Sequence, residues 1–167
     1  MDSQLREKIK FEISQIDALF DKAKILEEKC KLQEPDFIEI SAVGSTLHSY
    51  YNGLENIFVL IAKQIDNASL SSQRWHKDIL DSMFAQTAAR NAVLNESLHE
   101  SLLDYLSFRH VFRHSYGYAL DSERLSPLFF GVFENWKSVK TNLQELKHIS
   151  GCNSSIYLGK LESEKLN

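Results

Sequence analysis

The chain has 167 residues, with 19 lysines and arginines against 23 aspartates and glutamates, so it is sized for one domain with its own core, and its formal charge of -4 excludes a general basic coat for nucleic acid. Its two cysteines, Cys30 and Cys152, stand far apart and outside any CxxC or Cys/His pattern, which argues against a disulfide framework or structural zinc and for a reduced, cytoplasmic protein. Met1 to Lys8 has no apolar leader core, and no later run approaches the roughly 18 apolar residues of a membrane span, so a soluble protein is expected.

From Ser3 to about Cys30 the apolar positions Leu5, Ile9, Ile13, Ile16, Phe20, Ala23 and Cys30 advance by threes and fours, interrupted only at Glu27, which is the stripe of a long helix. Glu7, Lys8, Asp21, Lys22, Glu28 and Lys29 fall on the solvated side, and Pro35 stops the pattern. Asp36 is placed to cap a second helix to about Ile65, with Ile40, Val43, Leu47, Tyr50, Leu54, Ile57 and Ile61 as a coiled-coil-like seam. Two long helices joined by a short turn predict an antiparallel hairpin. Gly44 and Gly53 inside the second helix point to close helix approach or a mild bend, while His48, Tyr50 and Tyr51 are read as aromatic packing with exposed polar edges.

A polar loop, Asn67 to Ser72, precedes a short helix from Arg74 to Phe84, whose Trp75, Ile79 and Met83 share one face. His76 in this helix has no partner at a motif spacing. Residues 88–95 read as an irregular connection ending in Asn95 as N-cap. From Glu96 the stripe Leu98, Leu102, Tyr105, Phe112 and Tyr116 predicts a helix that closes near Gly117, and the position in the middle of that stripe is Arg109. A buried, unpaired guanidinium is too costly, so Arg109 must face a polar cleft, a carboxylate or a subunit boundary. Asp121 can cap a turn, after which Ser126 and Pro127 would begin the last helix, with Leu128, Val132, Trp136, Val139, Leu143 and Leu146 on its apolar face. Ser150 to Ser155 breaks that helix. The expectation is an all-α bundle of about five helices over residues 1–149, with a mobile or lightly docked tail at 150–167.

The chemistry concentrates between Phe108 and Gly117, where Arg109, His110, Arg113, His114 and Tyr116 gather. Arginine offers a permanent planar fork for phosphate oxygens, and histidine titrates near neutrality. On a straight helix the five-residue step from Arg109 to His114 turns by about 140°, so the two do not share a face. Either the helix loosens before His114 or the site is assembled from two chains about a two-fold axis. Arg109 aligns with Tyr116, and His110 with His114. A plainer account, that cations near a helix C-terminus complement the macrodipole, covers Arg113 and His114 but not an arginine inside an apolar stripe.

The run Arg109, four residues, His114, Ser115, Tyr116 resembles the Arg-x4-His-x-Tyr signature of HepT-type toxins of the HEPN family, small helical ribonucleases. His110 fills the polar position that usually follows the arginine, Tyr116 to Leu125 resembles the segment after the motif, and Arg74 to Leu80 resembles the short middle helix, so the likeness runs from Leu5 to about Ile149. The resemblance implies an endoribonuclease toxin of a toxin–antitoxin system that needs no metal or cofactor. In it Arg109 binds the scissile phosphate and His114 is the general base or acid for attack by the ribose 2′-OH. His110 and Arg113 would add contacts to RNA. Tyr116 would both line the cleft and receive AMP from a cognate minimal nucleotidyltransferase antitoxin, and the protein would be a homodimer whose two motifs meet. The alternatives are a non-catalytic helical subunit that binds substrate for a nucleotidyltransferase and a purely structural helical adaptor.

Overall fold

A computed structural model describes residues 2–114 and 120–149, with side chains through Leu146. The expected tail at 150–167 lies outside the described residues, as does Tyr116. Five α-helices build the described part: α1 (Ser3–Leu32), α2 (Phe37–Gln64), α3 (Trp75–Phe84), α4 (His99–Phe112) and α5 (Ser122–Ile149). The all-α bundle expected from the sequence is the observed fold. Among the described residues no helix is long and apolar enough to cross a membrane.

The central element is α2, which packs against each of the other four helices. Asp36 starts it with a capping box: its Oδ1 accepts from the amides of Ile38 and Glu39 at 2.8 Å, and the Glu39 carboxylate accepts from the Asp36 amide at 3.1 Å. Every residue of its expected seam, from Ile40 to Ile61, is buried, and so is a second stripe one position on, through Tyr51, Glu55, Phe58 and Ala62. Burial on two faces is what a helix in the middle of a bundle requires. The glycines serve close approach, as expected. A Cβ on Gly53 would meet Ile16 of α1 at 2.8 Å, and one on Gly44 would meet the Phe112 ring at 2.7 Å.

Polar contacts fix the outer helices at chosen heights. The Tyr50 hydroxyl donates to Asn135 Oδ1 at 2.6 Å, and Asn135 Nδ2 donates to Ser101 Oγ at 2.7 Å, linking α2, α5 and α4 through the core. The Tyr50 hydroxyl is therefore inside the bundle rather than exposed, because Asn135 supplies it with a buried acceptor. Trp136 Nε1 and Lys140 Nζ both donate to Asp17, at 2.9 Å and 2.7 Å, and hold α5 against α1.

Two expected helix boundaries are corrected. The fourth helical stretch opens with a single 3-10 turn, Glu96–Leu98, capped by Asn95, and α4 ends at Phe112 rather than running toward Tyr116. The Arg113 amide still donates to Arg109 O, but the His114 amide reaches back to Val111 O, the tighter pattern of a helix being wound off. The last helix begins at Ser122 rather than at Pro127. Asp121 caps it directly, with its carboxylate accepting from the Glu123 amide at 2.9 Å, and Pro127 lies inside the helix, where it has no amide to offer the carbonyl four residues back. The Ser126 hydroxyl, expected as a cap, instead donates to the Ser122 carbonyl at 2.7 Å.

The connection between α3 and α4 is organised by Arg90, whose side chain is 4% exposed. It donates to Asp66 Oδ2 through Nε and Nη2 and to the carbonyls of Ser82, Ala85 and Asn91. Removing one partner of a buried pair strands the other charge. Arg90→Ala should therefore lower unfolding stability by about 3 kcal/mol in a denaturant titration, whereas a loss below about 0.5 kcal/mol would show that the loop holds itself.

Candidate functional site

The expected conflict at Arg109 is resolved by a carboxylate. Arg109 sits in the buried stripe of α4, 7% exposed, and its guanidinium turns onto α2. Nε donates to Asn52 Oδ1 at 2.7 Å and Nη2 donates to Glu55 Oε2 at 2.7 Å. Asn52 and Glu55 are three residues apart on α2 and so lie on one helical face. The third nitrogen, Nη1, is buried and makes no hydrogen bond among the described residues.

Histidines surround this clamp. Glu55 Oε1 accepts from His76 Nδ1 of α3 at 2.5 Å, so one buried carboxylate serves α3 and α4 together. The His76 ring lies against Trp75 with centroids 3.6 Å apart and meets His110 edge-on at 5.5 Å. On the other flank Asn52 Nδ2 approaches His48 Nδ1 at 3.2 Å, and the His48 ring packs on Phe112 at 5.1 Å. An amide N–H needs a lone pair to meet, which fits an unprotonated His48 nitrogen. Burial first, then Arg109 and Arg113, pushes the His48 imidazole below its ordinary range. Burial first, then His76 and Arg109, does the same to His110, with Glu55 working against them.

The expected residues thus divide. Arg109 and His110 belong to one cluster with Asn52, Glu55, His48 and His76. Arg113 and His114 form the exposed turn after α4, where Arg113 still acts electrostatically on both His48 and His110. The helix loosens before His114, one of the two ways in which the five-residue spacing could be accommodated. Tyr116 lies outside the described residues. Asn52 and Glu55 were not expected, and His76 stood without a partner in the sequence; the one available signal was a carboxylate on a helix otherwise set for burial. Among the described residues no three His, Cys, Asp or Glu side chains converge to hold a metal ion.

Lowered imidazole pKa values make a signed prediction. The folded state binds these protons less readily than the unfolded chain, so the stability contributed by His48 and His110 is present above the ordinary value of 6.5 and is lost as the pH falls below it. In a proton NMR titration both imidazoles should have midpoints below 6.5. A midpoint above that value for either would contradict the packing described.

Comparison with known proteins covers the same elements. No curated protein and no solved structure matches the chain. The family described as HepT-like protein matches residues 42–149, which takes in most of α2, all of α3, α4 and α5, and every residue of the Arg109 cluster. A match over well over half of the chain, spanning the whole candidate site, makes this chain a member of the HepT-like family of HEPN-type proteins.

Proposed function

We propose that the chain is the toxin of a toxin–antitoxin pair, a cytoplasmic endoribonuclease that cleaves without a metal, using Arg109 and His114. The observation that supports this reading is the Nη1 of a guanidinium that is otherwise clamped, buried and without a hydrogen-bond partner among the described residues, in a member of the HepT-like family. A buried donor without a partner costs about 1–3 kcal/mol, and a phosphate oxygen at Nη1 would recover it. Asn52 and Glu55 orient the fork in advance, so little reorganisation is left for the reaction.

His114 would take the proton from a ribose 2′-OH as its oxygen bonds to phosphorus. The bond to the 5′ oxygen breaks, that oxygen leaves with a proton from an imidazolium or from water, and the other product is a 2′,3′-cyclic phosphate. A deoxyribose has no such nucleophile, so the reaction is confined to RNA. His110 and Arg113 would contact the RNA backbone. A two-fold homodimer would bring two copies of the motif to one cleft.

Regulation would run through Tyr116. A cognate nucleotidyltransferase antitoxin would attach AMP to its hydroxyl, adding an anion that pairs with nearby arginine and a purine that blocks RNA. One observation favours a second reading, a non-catalytic helical partner that presents substrate to a nucleotidyltransferase. Two of the three Arg109 nitrogens are already committed, as they would be in a structural arginine.

Exposed His114 gives the cleaner test. His114→Ala should lower RNA cleavage at least ~100-fold, with the helical circular dichroism signal and melting unchanged. Arg109→Ala should abolish cleavage too, but with a lower melting temperature because it strands buried Glu55. Cleavage should survive EDTA. A wild-type rate in His114→Ala would overturn the assignment, and a wild type that cuts no RNA would favour the non-catalytic partner.

For the antitoxin arm, incubation with the nucleotidyltransferase and ATP should place AMP on Tyr116 and silence the nuclease. Tyr116→Phe should stay active under the same treatment. AMP found by mass spectrometry on Tyr105 or Tyr118 instead would sink that part.

A further inference from the structure

Glu55 is a buried carboxylate with partners on two helices: Oε2 accepts from Arg109 and Oε1 from His76. Glutamate and guanidinium alone would already balance in charge. The third member changes that. His76 is the one group of the three whose own charge ordinarily changes near neutral pH. With His76 neutral the triad carries no net charge, and with His76 protonated it carries one positive charge.

We infer that His76 is a positioning residue that acts on Arg109 through Glu55: a phosphodiester arriving at Arg109 draws a proton onto His76, whose imidazolium becomes the counter-ion of Glu55 and leaves the guanidinium charge to the phosphate. This rests on Arg109 being the phosphate contact proposed above. The proton comes from solvent and settles on His76 Nε2, while Nδ1–H goes on donating to Glu55 Oε1, now as a charge-assisted bond. In the free protein an incoming phosphate meets the Glu55 carboxylate as well as the cation. After proton uptake that carboxylate is neutralised from the other side.

The groups around His76 set the balance. On α2 they are Glu55, with Tyr51 one turn earlier. On α4 they are Arg109 and His110, with Arg113 just beyond, and on its own helix Lys77 and Asp81 form a separate pair. Glu55 is the anion in contact with His76 and the His110 ring lies beside it, so a phosphate arriving at Arg109 adds a second anion to the cluster, which favours the proton. By linkage the proton must then favour the anion by the same factor.

Calorimetric binding of a 2′-O-methyl RNA oligonucleotide, which lacks the nucleophile, tests this in two buffers of unlike protonation enthalpy. The wild type should take up protons on binding, and its affinity should fall as the pH rises, by up to about tenfold per unit for one linked proton. His76→Gln keeps a donor for Glu55 but cannot titrate, and it should lose that uptake and flatten the slope. Glu55→Gln keeps the shape without the charge. It should bind the oligonucleotide more tightly than wild type and without the linked proton, the opposite of what losing a purely structural support would do. Undiminished uptake in His76→Gln, weaker binding by a helical Glu55→Gln, or no binding by the wild type would overturn the inference. Should Glu55→Gln fail to fold, the His76→Gln comparison decides alone. A wild type that binds and cleaves RNA without proton uptake would overturn this inference and leave the nuclease reading standing. Uptake without any cleavage would do the reverse.

Discussion

One buried carboxylate, Glu55, determines how three helices meet. Arg109 lies where α4 should carry an apolar side chain, and an unpaired guanidinium there would cost several kcal/mol. Glu55 and Asn52 remove most of that cost, and they can do so only because α2 sits deep enough to offer a second face. The capping box at Asp36 fixes where α2 begins, and the close approach at Gly53 fixes its distance from α1. Fold and site are consequently one construction: the register of the apolar seam is also the register that sets positions 52 and 55 opposite Arg109.

The same carboxylate shapes the electrostatics. The chain as a whole is acidic, yet Arg109, Arg113, His48, His76, His110 and His114 collect at the junction of α2, α3 and the end of α4, with Glu55 as the acidic partner in their midst. Under the proposed reading, such a cluster on an acidic protein would meet a ligand through its phosphates without inviting general nucleic-acid binding. Burial and the neighbouring arginines lower the pKa of His48 and His110, which limits the positive charge they add to the cluster.

The helices were legible because their stripes are long and regular: every apolar residue expected on α1 from Leu5 to Ala23 is buried, as is the whole seam of α2. The ends of the last two helices were less so. Pro127 reads locally as a first-turn residue, but Asp121 supplies a cap more than one turn earlier, and the helix runs on through the proline despite the backbone bond it cannot make. The anomaly at Arg109 was visible as a break in a stripe, and one of the three solutions it allowed, a carboxylate, is the one found. Which carboxylate was not visible, because Glu55 and Arg109 are 54 residues apart and only tertiary packing joins them. His76 was missed for the same reason, since its partner lies 21 residues away on another helix.

The central claim is that this cluster makes RNA attack itself through its own 2′-OH. End-group analysis of the products is its most direct test. Purified wild-type protein acting on RNA in EDTA should leave a 2′,3′-cyclic phosphate on one fragment and a 5′-hydroxyl on the other. Fragments ending in 3′-hydroxyl and 5′-phosphate, or equal cutting of a 2′-O-methyl substrate, would contradict it.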